Sequence, residues 1–161
     1  MDILNPNGVE VSPAVNIALI DGSSDTKNFL DSVSFSSVQF SQSLATIHLS
    51  RLSFEEVSGD LMLYRALLLS RWQELTKCAP FRVKTVRSAR LKFDKYKASG
   101  GNYILCFNDL LGFRVRVNDY PEIIPSYYRV VDLSGGKEDF DGYRAIHLYY
   151  RASNRSYPIE I

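Results

Sequence analysis

The sequence has few cysteines, no long hydrophobic run and almost no net charge. Its 161 residues include two cysteines, Cys78 and Cys106, which lie far apart among apolar neighbours and lack the spacing of a metal site. We therefore expect free, buried thiols and no disulfide. Lysine and arginine total 19 against 18 acidic residues. Because no bulk charge attracts nucleic acid or a membrane, any basic site must be local.

Targeting and membrane-spanning signals are also missing. No stretch approaches the roughly 20 apolar residues that a membrane helix needs, and the start, Met1 to Pro6, lacks the basic-then-apolar order of a signal peptide. These absences predict a cytoplasmic protein without a membrane partner. A hydrophobic content of 45% in a chain of this length fits one domain with a substantial core.

Two helices are predicted after an N-terminal segment whose sequence shows no clear structural pattern. Residues 1–52, rich in serine and asparagine, are interpreted as loop plus one helix and remain unassigned. Ser53 followed by Glu56 has the spacing of a capping box, which predicts a helix ending near Lys77, before Pro80. Its apolar residues recur at steps of three and four and should face the core; they are Val57, Leu61, Tyr64, Leu68, Trp72 and Leu75.

The second helix, over about residues 84–97, is predicted to be basic on one face. Its apolar stripe consists of Val86, Ala89, Phe93 and Tyr96, and its polar side of Lys84, Ser88, Lys92 and Lys95. With Arg82 just upstream, several cations and a hydroxyl converge near a helix start, a pattern that suits a polyphosphate because helix N-termini attract anions. A solvated basic face is the alternative interpretation of the same pattern.

The remaining chain favours strands and therefore an α+β fold. The apolar, β-branched run 103–117 predicts a central strand, interrupted by a polar step at Asn108 and Asp109. Residues 143–151 and 157–161 predict a hairpin, and 118–142 a loop region with at most a short helix. A buried lone carboxylate is costly, so Asp109 should meet a metal, a cation or the sheet's edge; it could instead be a strand-capping residue.

Alternation within the predicted hairpin groups several polar residues. Tyr143, Ala145 and His147 share one face, and Glu160 has the parity to join them. Glu160 would then lie near Asp109 if the hairpin neighbours the central strand. An exposed histidine and a glutamate at the rim are the alternatives for these two residues.

Taken together, four motifs in order resemble the synthetase domain of the RelA/SpoT family over residues 53–161. The motifs are Arg82-x-Lys84-x3-Ser88-x3-Lys92, Asp109-Leu-Leu-Gly-Phe-Arg-Val, Gly142-Tyr143-Arg-Ala-Ile-His147-Leu and Pro158-Ile-Glu160-Ile. The resemblance implies a nucleotidyltransferase-like mixed β-sheet flanked by helices. It also implies transfer of pyrophosphate from ATP, with Mg²⁺, to the ribose 3′-hydroxyl of GDP or GTP, and a possible homo-oligomer or antitoxin partner.

The resemblance also implies roles for individual residues. Phosphate contacts to ATP fall on Arg82, Lys84, Ser88 and Lys92, with Arg114 as a supporting cation. Asp109 is the implied main Mg²⁺ ligand, and Glu160 the second carboxylate, which helps hold the metal or activates the attacking hydroxyl. Tyr143 would stack on the acceptor base, and His147 would contact acceptor phosphate, with Lys137 as a further acceptor contact.

The chain departs from the family pattern in two places. Where family members carry a Pro-Lys-x-Asn-like element, this chain has the acidic stretch Lys137 to Asp141. This version resembles the toxin branch of small synthetases, some of which pyrophosphorylate the 3′ end of tRNA, so tRNA is the alternative acceptor. Family members also continue past the position of Ile161, so the resemblance implies a domain truncated at its C-terminus. A non-catalytic nucleotide-binding module is a further alternative.

Overall fold

The computed structural model describes residues 19–135 and 145–161. A five-stranded mixed sheet has the order β1-β2-β5-β4-β3, with strands β1 Phe81–Val83, β2 Leu111–Phe113, β3 Tyr128–Leu133, β4 Ala145–Tyr150 and β5 Ile159–Glu160. Five helices flank it: α1 Ser24–Ser32, α2 Phe54–Ser70, α3 Trp72–Cys78, α4 Val86–Ala98 and α5 Tyr103–Cys106. The predicted α+β class, with a mixed sheet flanked by helices, is confirmed.

The helix predicted from the capping box begins where expected but is divided in two. Ser53 and Glu56 exchange the side-chain to backbone hydrogen bonds of a capping box at the start of α2. The helix stops at Ser70, because Arg71 leaves helical geometry at ψ 15°, and α3 follows. The predicted stripe nevertheless faces the core. Its fully buried members are Val57, Leu61, Tyr64, Leu68 and Leu75.

The prediction of one strand over residues 103–117 is wrong in extent. Asn102 caps a short helix, α5, by accepting a hydrogen bond from the backbone N–H of Ile104 at 2.9 Å, and only Leu111–Phe113 form a strand. The capping preference of asparagine overrides the β-propensity of the apolar residues that follow. Asp109 consequently lies in the turn just before β2, at the mouth of the strand.

A strand occupies part of the predicted loop region 118–142. β3 pairs with β4 along its full length, from Tyr128 opposite Tyr150 to Leu133 opposite Ala145. It is an edge strand whose residues from Arg129 to Asp132 are exposed. Because neither of its faces is deeply buried, the alternation that identifies a half-buried strand is missing from its sequence.

The predicted hairpin of β4 and β5 is confirmed. Tyr149 lies opposite Glu160 and Tyr150 opposite Ile159, and Leu148 and Ile161 exchange two backbone hydrogen bonds of 2.8 Å. β5 also runs parallel to β2, with Gly112 opposite Glu160. The hairpin therefore neighbours the strand that follows Asp109.

Described residues before and after position 52 belong to one hydrophobic core. Leu30, Leu44 and Leu49 of the N-terminal segment belong to the same buried cluster as Leu61 and Phe93. In the described part of the first fifty residues, α1 and a short 3₁₀ turn, Leu44–Thr46, precede a second such turn at Leu49–Arg51. Residues 19–52 thus pack as part of the body that carries the sheet.

A buried carboxylate attaches this N-terminal segment to α2. Asp60, 1% exposed, accepts hydrogen bonds from the hydroxyl of Ser37, from the backbone N–H groups of Val38 and Gln39 at 3.1 and 3.2 Å, and from the hydroxyl of Tyr157 at 3.0 Å. Four donors satisfy the charge, as burial requires.

Candidate functional site

Three cations surround Asp109 at the start of β2. The Lys84 Nζ lies 2.7 Å and the Arg82 Nη2 3.2 Å from Asp109 Oδ2, and the Lys92 Nζ lies 3.0 Å from Asp109 Oδ1. The side chains of Asp109 and Lys84 are each only 12% exposed. We call these four residues the Asp109 cluster. The structure thus brings together the predicted metal ligand and three of the predicted phosphate contacts.

Separate elements supply the members of the cluster. Arg82 is on β1 and was not expected on a strand, Lys84 follows β1, and Lys92 is on the second turn of α4. Lys84 is fixed to the β2 entry by a backbone hydrogen bond, from its N–H to the carbonyl of Leu110 at 2.9 Å. Because the cations come from elements that meet only in the folded chain, the cluster requires the tertiary structure.

Arg65 holds the backbone next to Lys84, and it was not among the residues predicted from the sequence. Its guanidinium Nη1 donates to the carbonyls of Val83 and Lys84 at 3.4 and 3.2 Å. These carbonyls lie in the connection between β1 and α4, where Thr85 caps the helix by accepting from Ser88 N at 3.1 Å. An arginine on a mostly apolar helix was the only signal in the sequence.

The cations set the charge state of Asp109. Burial alone would raise the pKa of its carboxyl, but the hydrogen bond from Lys84 and the charges of Lys92 and Lys84 outweigh burial and hold the pKa below its usual range. Asp109 is therefore ionised at neutral pH and partly neutralises the cations. A phosphate group entering the cluster would compete with this carboxylate for the same lysines.

Glu160 is the second predicted carboxylate and has its own partners. The Tyr149 hydroxyl donates to Glu160 Oε2 at 3.0 Å, and His147 Nδ1 lies 3.7 Å from the same oxygen. Burial raises the pKa of Glu160 and the charge of Asp109 adds a little to this, but the nearby His147 and the hydrogen bond from Tyr149 outweigh both, so that the net shift of the pKa is downward. Both neighbours, Tyr149 and His147, belong to β4, the strand paired with the one that carries Glu160.

Cross-strand pairing explains how Arg82 and Glu160 come to share one face. Arg82 lies opposite Gly112, and Gly112 opposite Glu160, and residues opposite each other project to the same side of a sheet. Gly112 contributes no side chain to this row; a Cβ there would lie 3.7 Å from Glu160 Oε1. The space between the guanidinium and the carboxylate is thus left open above the backbone.

A cleft of about 730 Å³ opens on this face of the sheet. Its lining includes Arg82, Glu160 and His147, together with Arg114, which follows β2. Three other residues were predicted for the site and are not among the cleft residues named above. Ser88 is exposed on the first turn of α4, and Tyr143 and Lys137 lie outside the described residues.

The donor set available to a metal is small. Within residues 19–135 and 145–161, no group of three or more histidine, cysteine, aspartate or glutamate side chains is arranged to hold a metal ion. Asp109 and Glu160 are the carboxylates on offer, and Mg²⁺ is the ion that needs only one or two protein carboxylates when phosphate and water oxygens complete its coordination. The arrangement therefore suits a metal that arrives with a phosphate ligand.

No family model and no curated protein matches this chain. Among the described residues, no helix is long and apolar enough to cross a membrane.

Both cysteines should resist alkylation in the folded protein. Cys106 is buried and Cys78 partly buried, and neither forms a disulfide; burial raises the pKa of each thiol to about 12. Since the thiolate is the reactive form, iodoacetamide at pH 8 should leave both unmodified, whereas both should react in urea. Mass spectrometry measures this, and rapid labelling of the native chain would contradict the burial.

Proposed function

We propose that this chain is a synthetase of the RelA/SpoT type, with a nucleotidyltransferase-like fold, that transfers pyrophosphate from ATP to the ribose 3′-hydroxyl of GDP or GTP. The observation that supports this most is the Asp109 cluster, whose member Arg82 lies on the same face of the sheet as Glu160. A row of cations beside two carboxylates is what phosphoryl transfer asks of a protein, because positioning and charge neutralisation supply most of its catalysis.

In the proposed reaction, the acceptor 3′-oxygen attacks the β-phosphorus of ATP. The bond between that phosphorus and the α,β-bridging oxygen breaks, AMP leaves, and the hydroxyl proton is released. Arg82, Lys84 and Lys92 bind phosphate oxygens, with Ser88 and the N-terminus of α4 beside them. Glu160 is ionised at neutral pH, since the fold lowers and does not raise its already acidic pKa, and it accepts the hydroxyl's hydrogen bond and its proton.

Asp109 and Glu160 are the residues that would hold Mg²⁺, which when bound neutralises charge on the triphosphate. The protein's own contribution is to keep both carboxylates ionised and to place Arg82, the partner of Asp109, on the same face of the sheet as Glu160. His147 and Tyr149 orient Glu160 through Oε2, and Lys84 and Lys92 hold Asp109.

Transfer of label from [γ-³²P]ATP tests the proposal. With Mg²⁺ present, label should appear on GDP or GTP, accompanied by an equal amount of AMP. Label on tRNA alone would make the tRNA 3′ end the acceptor. ATP binding without transfer to any acceptor would favour a non-catalytic nucleotide-binding module and would overturn the proposal, as would release of ADP in place of AMP.

Removal of the Tyr149 hydroxyl should slow transfer without weakening ATP binding. Tyr149→Phe deletes one hydrogen bond to the Glu160 carboxylate, a loss of about 1.4 kcal/mol or about tenfold in kcat. Tyr64→Phe is the matched control, because the buried Tyr64 hydroxyl has no hydrogen-bond partner within the described part of the chain. An unchanged kcat in Tyr149→Phe, or an equal drop in both variants, would contradict this role.

A further inference from the structure

The cleft and the Asp109 cluster are two distinct regions that meet at one side chain. Among the described residues, Arg82 is the only member of the Asp109 cluster that lines the cleft; Asp109, Lys84 and Lys92 do not. Glu160 lies on the cleft side of this junction. A triphosphate held by the cluster therefore leaves most of the cleft for another molecule, and the two would meet between Arg82 and Glu160.

The strand directions show that the cleft extends to the end of β2, whereas the Asp109 cluster lies at the start of β2. Asp109 lies in the turn before β2 and Arg114 follows β2, so the two residues lie at opposite ends of this strand. Because β5 is parallel to β2 and β4 antiparallel to β5, the ends of β2 and β5 and the start of β4 share one sheet edge. Arg114 and Ala145, which both line the cleft, lie at that edge.

The side chains at this edge combine cations with an aromatic and apolar wall. Arg114 and Arg116 line the cleft, and so does Tyr120, whose side chain is among the large hydrophobic groups that remain exposed, at 42%. Ile20, Pro121 and Ile124 complete the wall. Guanidinium groups bind phosphate oxygens bidentately, and aromatic rings stack on nucleobases of any identity.

The charge of the lining favours an anionic ligand. Its described residues include three arginines, Arg82, Arg114 and Arg116, against the single carboxylate of Glu160. A concave site lined by one dominant sign of charge concentrates ligands of the opposite sign. Its volume of about 730 Å³ lies within the roughly 300–1,000 Å³ of small-molecule sites, which favours a free mononucleotide over a macromolecule.

We propose that Arg114, Arg116 and Tyr120 form the subsite for the second nucleotide, a nucleoside diphosphate whose phosphates contact the guanidinium groups and whose base stacks on the Tyr120 ring. The family resemblance gives the stacking role to Tyr143, which lies outside the described residues; Tyr120 is the exposed tyrosine of the described lining. This inference rests on the proposed function and adds the residues that select the acceptor. The ribose 3′-hydroxyl then faces the junction at Arg82 and Glu160, where the donor phosphates end.

Separate binding titrations test the subsite without requiring turnover. The probes are GDP, ADP and, as a donor that cannot transfer, α,β-methylene-ATP with Mg²⁺. Arg116→Gln and Tyr120→Leu should each weaken GDP binding about tenfold and leave binding of α,β-methylene-ATP within twofold. Lys92→Gln should show the reverse. Arg51→Gln, an exposed arginine in the 3₁₀ turn Leu49–Arg51, is the control and should change neither.

The outcomes separate the subsite from the function on which it rests. If the wild-type protein binds the ATP analogue but neither GDP nor ADP, the proposed subsite is wrong, whereas the proposed donor site is retained. Binding of neither would overturn both. GDP affinity unchanged in the double variant Arg116→Gln, Tyr120→Leu, or binding of a tRNA 3′ end in place of GDP, would also overturn the subsite. Melting temperatures of all variants confirm that each one is folded.

Discussion

Replacing Asp109 with asparagine should reduce pyrophosphate transfer about a thousandfold, the size of effect seen when a preorganised electrostatic group is removed from an active site. The same change should tighten ATP binding in the absence of Mg²⁺. Asp109 neutralises Arg82, Lys84 and Lys92 at 2.7–3.2 Å, and its loss leaves three cations free to attract phosphate. Few substitutions are expected to abolish turnover while strengthening substrate binding.

Transfer rates with Mg²⁺ and equilibrium ATP binding in EDTA measure the two effects. Lys92→Gln is the matched control, because it removes a cation of the same cluster and should weaken ATP binding with or without metal. Since Lys84 is largely buried, Asp109→Asn should also lower the melting temperature, and the titrations belong at a temperature where circular dichroism shows a folded chain. Transfer at the wild-type rate would remove Asp109 from the mechanism.

The largest expected loss of stability comes from Asp60. Asp60→Ala removes the acceptor shared by the hydroxyls of Ser37 and Tyr157 and the backbone N–H groups of Val38 and Gln39. Gln39 N–H keeps the Ser37 hydroxyl and Tyr157 keeps the Tyr103 hydroxyl as partners, so the largest losses fall on Ser37 and Val38. Unsatisfied buried donors cost about 1–3 kcal/mol each, and partial relaxation should leave a total of about 3–4 kcal/mol. Urea unfolding at neutral pH measures the change in the free energy of unfolding.

An informative control for this prediction is Asp31→Ala. Asp31 is also a carboxylate that accepts a tyrosine hydroxyl, that of Tyr150, and it pairs with Lys27 at 3.0 Å. Its side chain is 39% exposed, so water can replace the lost acceptor and the cost should stay near 1 kcal/mol or below. Equal effects of the two substitutions would mean that burial does not determine the importance of Asp60.

Local signals in the sequence were sufficient for several elements. Ser53 and Glu56 predicted the start of α2 because a capping box involves only residues three apart. Alternation predicted that Ala145 and His147 share a face of their strand, since parity along one strand is a local property. These predictions needed no knowledge of what the residues would contact across the fold.

The errors arose from one local signal that was overlooked and from contacts between distant parts of the chain. The apolar run around Leu105 reads equally well as helix or strand, and Asn102 decides in favour of a helix. β3 is an edge strand without a buried face, so its pairing with β4 leaves no alternation to detect. The sequence predicted that Asp109 would meet a metal or a cation. It did not predict β1, the strand that positions Arg82 beside Asp109.

Contacts that support the site were likewise invisible. Arg65 reaches the carbonyls of Val83 and Lys84 from a helix eighteen residues upstream, and the Tyr149 hydroxyl reaches Glu160 only because the register of β4 and β5 places them opposite each other. Neither residue belongs to a recognisable motif. Both are typical of side chains that orient other side chains, which only tertiary structure reveals.

A measured structure of the chain with Mg²⁺ and α,β-methylene-ATP tests the central claim most directly. The account predicts that phosphate oxygens replace the Asp109 carboxylate as partners of Lys84 and Lys92, and that Asp109 and Glu160 turn to the metal on the same side of the sheet. A nucleotide bound elsewhere, with Lys84 still 2.7 Å from Asp109 Oδ2, would contradict it.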